Sequence, residues 1–382
     1  HHKRILIFST SYFPLVGGAE ISVKEITDRL TDIQFDLITA KQKSDLPKSE
    51  KIGNVSVYRL GLGSPLIDKL LLPFHGAIFT LRLNKKNHYD AFWCIMVTFA
   101  SGAAYIANWF QKRVPIILTL QEGDSEKWLR YRWAGLIDLS WRLALKRTNY
   151  LTAISTYLLK RAERLGFKGK SFVIPNGFDG FWFNKTETPI PGGNRNRFRA
   201  IHDLKPSDVI LITTSRLVYK NAVDIIIHAL KELPENFHLW ILGDGSLRKQ
   251  LESLTKKLNL TQRVHFKGLV SNSSIIHYLN ASDIFVRPSR SEGMGNSFIE
   301  AMAAEVPVIA TPVGGIPDFL RDGETGLFCE VNNPKSIADK VMEYINNSEL
   351  RSRIIRSAKK MVLEKYDWDL IAKEMKSKVF AV

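Results

Sequence analysis

Cysteine is almost absent. Cys94 and Cys329 are the only two in 382 residues, so neither a disulfide framework nor a thiolate zinc site can be built, and a chain folded in the reducing cytoplasm is expected. Fifteen prolines and 24 glycines are too few and too scattered for a collagen-like or low-complexity chain. Acidic residues run short, with 38 Asp and Glu against 54 Lys and Arg for a net charge of +16. Basic residues outnumber acidic ones by eleven in residues 1–180 and by five in the remainder. Such a face attracts phosphate, whether in nucleic acid, anionic lipid or a diphosphate substrate, and charge alone does not choose among them. No apolar stretch near residues 4–8 has the length of a signal core. Residues 91–111 carry no formal charge and are long enough to span a bilayer. Thr98, Ser101, Gly102 and Asn108 dilute that stretch, which reads better as a buried strand followed by a crossover helix.

What is present is an ordinary globular composition, 45% apolar and 24% charged, at a length that suits two domains. The chain opens with a strand-like run (RILIFST), a Pro/Gly loop (FPLVGGAE) and a helical pattern (ISVKEITDRL). Further short apolar strands follow in FDLITA, AFWCI, PIILTL, NYLTAIS and SFVIPNG. Repeated strand–loop–helix units predict an α/β fold with parallel sheets. Residues 181–206, rich in Pro, Gly, Asn and Arg, read as a linker. The rhythm then restarts with VILITTS, FHLWILG, RVHFKG, DIFVRP and PVIAT. The expected organisation is an N-terminal domain over 1–180, a C-terminal domain over 181–365, and a helix at about 366–382 that packs back on the first. Ligands of open parallel sheets bind at the carboxyl ends of strands, so the cleft between the halves is the expected site.

Residues 283–327 carry the densest chemistry. A strand, DIFVRP, enters a glycine-punctuated loop and then a helix starting near Asn296 or Ser297, whose free backbone N–H groups suit a phosphate. Glu292 before the loop and Glu300 in the helix would repel phosphate but could each hold sugar hydroxyls. Two glutamates separated by seven residues, then EAMA, PVIAT, GG and DGETG, together with FPLVGGAE, VIPNGFD, SRLV and GDGSLR elsewhere, resemble the retaining glycosyltransferases of family GT4. The resemblance covers most of the chain. It implies the GT-B fold, two Rossmann-like parallel-sheet domains facing a central cleft.

Carried over residue by residue, the resemblance makes Glu300 the ribose-binding glutamate and Glu292 the one that holds the transferred sugar. Gly293, Met294, Gly295, Asn296 and Ser297 would face sugar and phosphates, and Arg216 would pair with the diphosphate. The family also has a lysine five residues after that arginine. Here the position is Asn221, with Lys220 one residue earlier as the candidate substitute. Gly17 and Gly18 would let backbone approach the donor from the other domain. Many relatives have a histidine where Gln121 stands. Gln121 can act only by hydrogen bonding, unless Glu122 or Asp124 takes the role. No agreed carboxylate nucleophile is implied, so same-face substitution without a metal is expected, with no cofactor beyond a UDP-sugar or GDP-sugar co-substrate.

Residues 127–147 combine Trp128, Trp133 and Trp141 with Arg130, Arg132, Arg142, Lys146 and Arg147, and Lys69, Arg82, Lys85 and Lys86 lie upstream among apolar residues. This mixture suits an anionic membrane surface and a glycan or lipid-linked acceptor, and equally suits core packing with basic tips reaching water. The expected place is the cytoplasm or the inner face of the membrane. Two other readings stay open: a sugar-nucleotide epimerase of the same fold, and a non-catalytic nucleic-acid binder. The latter leaves the paired glutamates unexplained, so no nucleic-acid partner is expected.

Overall fold

The computed structural model describes residues 2–15, 17–111, 114–123, 136–179 and 195–381. The chain divides into two compact units, His1–Gly177 with Trp368–Val382, and Phe178–Asp367.

The first unit is built on β1 (Lys3–Phe8), β2 (Ile33–Ala40), β3 (Ser49–Ile52), β4 (Val55–Leu60), β5 (Ala91–Ile95), β6 (Ile116–Leu120), β7 (Tyr150–Ala153) and β8 (Lys170–Val173). Their order is β3-β4-β2-β1-β5-β6-β7-β8. Every pairing is parallel except β3 with β4, an antiparallel hairpin turned at Gly53. β5 and β6 are buried at every position, as strands covered by helices on both faces must be. Between the strands lie α1 (Gly18–Arg29), α2 (Pro65–Asn87) and α3 (Phe99–Phe110). The uncharged stretch 91–111 is therefore β5 plus α3. Among the described residues no helix is long and apolar enough to cross a membrane. The segment from Trp368 returns to this unit, and Trp368, Ile371, Met375 and Phe380 join Ile5, Val23 and Trp93 in one core. Phe380 meets Trp93 edge-on at 5.1 Å between ring centroids.

The second unit is a fully parallel six-stranded sheet of β9 (Val209–Thr214), β10 (Phe237–Leu242), β11 (Val264–Gly268), β12 (Ile284–Arg287), β13 (Val308–Ala310) and β14 (Leu327–Phe328), in the order β11-β10-β9-β12-β13-β14. Part of the segment expected as linker belongs to this unit: Arg195–Ile201 is a helix. Its buried Arg199 donates to Asp283 at 2.7 Å and to the Ala281 carbonyl at 2.9 Å. Residues 180–194 lie outside the described residues.

Candidate active site

In the second sheet the chain winds from β9 through β10 to β11 on one side and through β12 and β13 to β14 on the other. Loops leaving β9 and β12 at their carboxyl ends therefore diverge, and that crevice is where open α/β sheets bind ligands. The segment after β9 holds Arg216, Lys220 and Asn221, and the segment after β12 holds Glu292.

Two glycines shape the β12 loop. Gly295 precedes the helix Asn296–Ala303 at φ +87°, and a Cβ there would stand 2.6 Å from the Phe298 ring. Gly314, at φ +57°, leaves room for the Glu292 carbonyl, which a Cβ would meet at 1.7 Å. That same carbonyl accepts the Gly315 N–H at 3.2 Å. The GG pair thus fixes the backbone of Glu292 from the far side.

Glu292 is 7% exposed. One carboxylate oxygen accepts its neighbour's backbone N–H, from Gly293, at 3.0 Å, and the other takes a short contact from the Arg287 guanidinium. Arg287 also donates to Ser297 Oγ at 2.8 Å and to Asn221 Oδ1 at 3.1 Å, and its guanidinium lies 5.2 Å from the centre of the Phe298 ring. Glu300, half-buried on the helix, has its carboxyl pushed up to about 7 by desolvation, with the Arg287 charge pulling the other way. Asn296 and Ser297 are half-buried, whereas the Met294 side chain is 1% exposed and sits in the core, so only its backbone is placed to meet a ligand.

Arg216 has an exposed side chain, and its carbonyl accepts from Asn221 Nδ2 at 2.7 Å. Lys220 is half-buried, and its carbonyl accepts the Arg290 N–H at 2.7 Å. Arg290 clamps this loop: it donates to the Tyr219 carbonyl at 2.6 Å, pairs with Asp224 at 2.7 Å and stacks 4.2 Å over the Tyr219 ring. Arg287, Arg290 and the double duty of Asn221 were not singled out from sequence. A charge closing an apolar strand, as in DIFVRP, is the signal that would have found the first.

In the first unit, Gly17 N–H donates to the Glu20 carboxylate at 2.7 Å at the start of α1, and nothing lies within 4 Å of a Cβ placed on Gly18. Gly17 is extended, at φ −137°, and a Cβ on it would crowd the Glu20 carboxylate at 3.1 Å, so open approach is a property of Gly18. Gln121 accepts from Asn176 Nδ2 at 3.1 Å, which ties it to the VIPNG motif. Glu122 is occupied otherwise: its two oxygens accept the Val97 and Gln121 N–H groups, each at 3.0 Å, and burial raises its pKa. That carboxylate satisfies backbone at the ends of β5 and β6, and Asp124 lies outside the described residues. Among the described residues, no three His, Cys, Asp or Glu side chains group to hold a metal.

Of the two readings of the aromatic and basic stretch, Trp141 takes core packing beneath a basic side chain. Trp141 is 2% exposed, under the Arg161 guanidinium at 4.6 Å, and is core. Trp128, Trp133, Arg130 and Arg132 lie outside the described residues. Leu139 and Leu143 are exposed in that stretch, as are Phe99, Trp109 and Phe110 of α3, and the longest exposed apolar row is on α2. Its buried side carries small residues, Gly76, Ala77 and Thr80, with Gly76 against Ala103 of α3. Its outward side presents Leu66, Ile67, Leu70, Leu71, Phe74 and Ile78, then Arg82, Lys85 and Lys86 over the last turns. Arg142, Lys146 and Arg147 are exposed, with Arg147 over the exposed Trp109 at 4.7 Å.

Two Rossmann-like units, the second with paired carboxylates beside a helix N-terminus at the switch point of its sheet, define a glycosyltransferase of the GT-B class. The family described as "Glycosyl transferases group 1" matches residues 194–361, and "Glycosyltransferase Family 4" matches residues 16–179. An uncharacterized glycosyltransferase of Methanocaldococcus jannaschii, MJ1607, is 32% identical over 97% of this chain and 96% of its own. The chain therefore belongs to this glycosyltransferase family. The lipopolysaccharide core biosynthesis glycosyltransferase LpsE of Rhizobium meliloti is 29% identical over 59% of the chain and 62% of its own. Among solved structures, Anabaena Alr3699/HepE in complex with UDP and glucose superposes with a TM-score of 0.81 at 20% identity over all of both chains.

Proposed function

We propose that the protein transfers a hexose-type sugar, with retention, from a UDP-sugar or GDP-sugar to a hydroxyl of a cell-envelope glycan or lipid-linked acceptor. The observation that carries this reading is the pair Glu292 and Glu300 flanking one helix start, Glu292 in the loop before Asn296 and Glu300 on the helix itself. Glu292 is held by Arg287 and Gly293 N–H, and Glu300 sits one face along. In this reading Glu300 accepts ribose hydroxyls and Glu292 accepts sugar hydroxyls. Arg216, Lys220 and the helix N-terminus take the diphosphate charge. The bond from the acceptor oxygen to the anomeric carbon forms on the face from which the phosphate leaves. The acceptor proton passes to that leaving phosphate oxygen, and the electron pair departs with the diphosphate. Gln121 acts as a hydrogen-bonding group near the reacting carbon. Arginine, lysine and backbone dipoles supply the positive charge here, which is why no metal is invoked. The lipopolysaccharide-core relative supports an envelope acceptor, and the UDP-bound neighbour makes UDP the first nucleotide to try.

The outward face of α2 supports an anionic membrane as the place where the acceptor is met. An apolar row followed by three basic residues, with no acidic side chain exposed on the helix, suits insertion into a headgroup layer. Two experiments test the reading. UDP, GDP and ADP at about 100 times their dissociation constants should stabilise the protein by ~2.7 kcal/mol, and Glu300→Ala and Arg216→Ala should abolish the effect of whichever binds. The protein should also sediment with phosphatidylglycerol vesicles at low salt, and Leu70→Ser with Phe74→Ser should not. Turnover of a sugar nucleotide to its epimer, with no sugar passed to an acceptor, would favour the epimerase reading.

A further inference from the structure

We propose that Arg287 is a positioning residue of the transfer site, holding the Glu292 carboxylate in one orientation and providing the buried cation beside that carboxylate that Asn221 does not. The proposal rests on the reading of Glu292 as the sugar-holding carboxylate.

Three separate segments converge on this one guanidinium. From the loop after β9 comes Asn221 Oδ1 at 3.1 Å, from the loop after β12 comes a Glu292 oxygen, and from the helix comes Ser297 Oγ at 2.8 Å. Phe298 lies against it at 5.2 Å. Arg287 is 8% and Glu292 7% exposed, so both charges are paired in a nearly dry setting, where orientation is tightly set. The direction of Asn221 is fixed in turn. Its Nδ2 donates to the Arg216 carbonyl at 2.7 Å, which leaves Oδ1 as the end that faces Arg287. A continuous line of contacts thus runs from Arg216 backbone through Asn221 and Arg287 to Glu292. The Arg287 Nε is also buried with no hydrogen-bond partner among the described residues. A buried guanidinium that leaves a donor unused while gripping a functional carboxylate is built for aiming that carboxylate more than for stability.

A lysine at position 221, where the resembling family carries one, would set an ammonium against the Arg287 guanidinium in the same small space. The two cations are therefore alternatives, and the chain has moved the charge from one strand end to the next. If so, the charge can be moved back.

The test measures, by calorimetry, the affinities of UDP and UDP-glucose, and of GDP and GDP-mannose, for wild type and variants. Arg287→Met should bind the free nucleotide nearly as wild type does, which reports an intact fold. The preference for sugar nucleotide over free nucleotide should drop by about ten- to a hundredfold, as expected for one misplaced charged hydrogen-bonding group. Arg287→Lys should restore part of that preference. Asn221→Lys should weaken sugar-nucleotide binding in the wild-type background yet restore it in the Arg287→Met background. Equal loss of nucleotide and sugar-nucleotide affinity in Arg287→Met would mark a merely structural arginine and overturn the proposal. Additive effects in the double variant, or a wild type that does not prefer sugar nucleotide, would overturn it too. A wild type that binds none of these nucleotides would instead sink the donor reading, and this proposal with it.

Discussion

Replacing Glu300 by glutamine should make the second unit more stable at alkaline pH while removing nucleotide binding. The carboxyl's ordinary value is 4.5, and burial raises it to about 7 in the folded protein. Between those values the folded state holds the proton that the unfolded state has released, so stability falls as pH rises through that window and the full cost is present above 7. At full weight that difference is on the order of 3 kcal/mol. Glu300 is only half-buried, and solvent screening brings the expected gain for glutamine down to roughly 1–2 kcal/mol. For a unit spanning Phe178–Asp367 this corresponds to a Tm higher by roughly 2–8 °C at pH 8. At pH 4.5 and below, variant and wild type should melt together. Calorimetric melts at pH 4.5, 6, 7 and 8 check the shape of the difference, and nucleotide titration at pH 8 checks the cost to function. A pH-independent difference, or a glutamine variant that melts lower at pH 8, would refute the reasoning.

Gly314→Ala would drive a Cβ into the Glu292 carbonyl at a positive φ, so a loss of more than ~2 kcal/mol in urea denaturation is expected, together with weaker sugar-nucleotide binding. Trp141→Ala should cost ~3–5 kcal/mol of stability and leave vesicle binding of the remaining folded protein unchanged, because that ring is core. Glu122→Gln turns one acceptor oxygen into a donor facing a backbone N–H. A loss of ~1–3 kcal/mol is expected, with nucleotide affinity unchanged by calorimetry. Membrane association through α2 should weaken as salt rises from 50 to 500 mM, because the basic turns act through screened charge; sedimentation that ignores salt would show that the apolar row works alone.

Much of the fold was legible because its strands are buried on both faces and read as unbroken apolar runs, as AFWCI and PIILTL do. The exceptions have physical causes. SEKI, which forms β3, is an exposed edge strand with no apolar signal, so the Gly53-Asn54 hairpin cue that follows it has no strand pattern on its N-terminal side. The helix α2 buries Leu72 with Asp68 and the small Gly76, Ala77 and Thr80 while most of its large apolar residues face outward, so its burial could not be inferred from side-chain character. At the candidate site, the glutamates and glycines were visible as a spaced motif. Arg287 was not, since its meaning lies in contacts with Asn221, Glu292 and Ser297, and no spacing rule joins those positions. Composition left Trp141 open between a membrane-facing surface and core packing under a basic tip, and its place beneath Arg161 shows the latter.

The core of the first unit is finished by residues that follow the whole of the second unit in sequence. Trp368, Ile371, Met375 and Phe380 pack among Ile5, Val23 and Trp93, each large apolar group contributing ~1.5–3 kcal/mol when buried. During synthesis on the ribosome the second unit has all of its strands before those residues exist, whereas the first must wait with part of its sheet uncovered. Birth order and completion order are thereby reversed. Chaperones would meet the N-terminal half for the longest time, and a stop codon near position 367 would leave an uncapped first sheet and an intact second one.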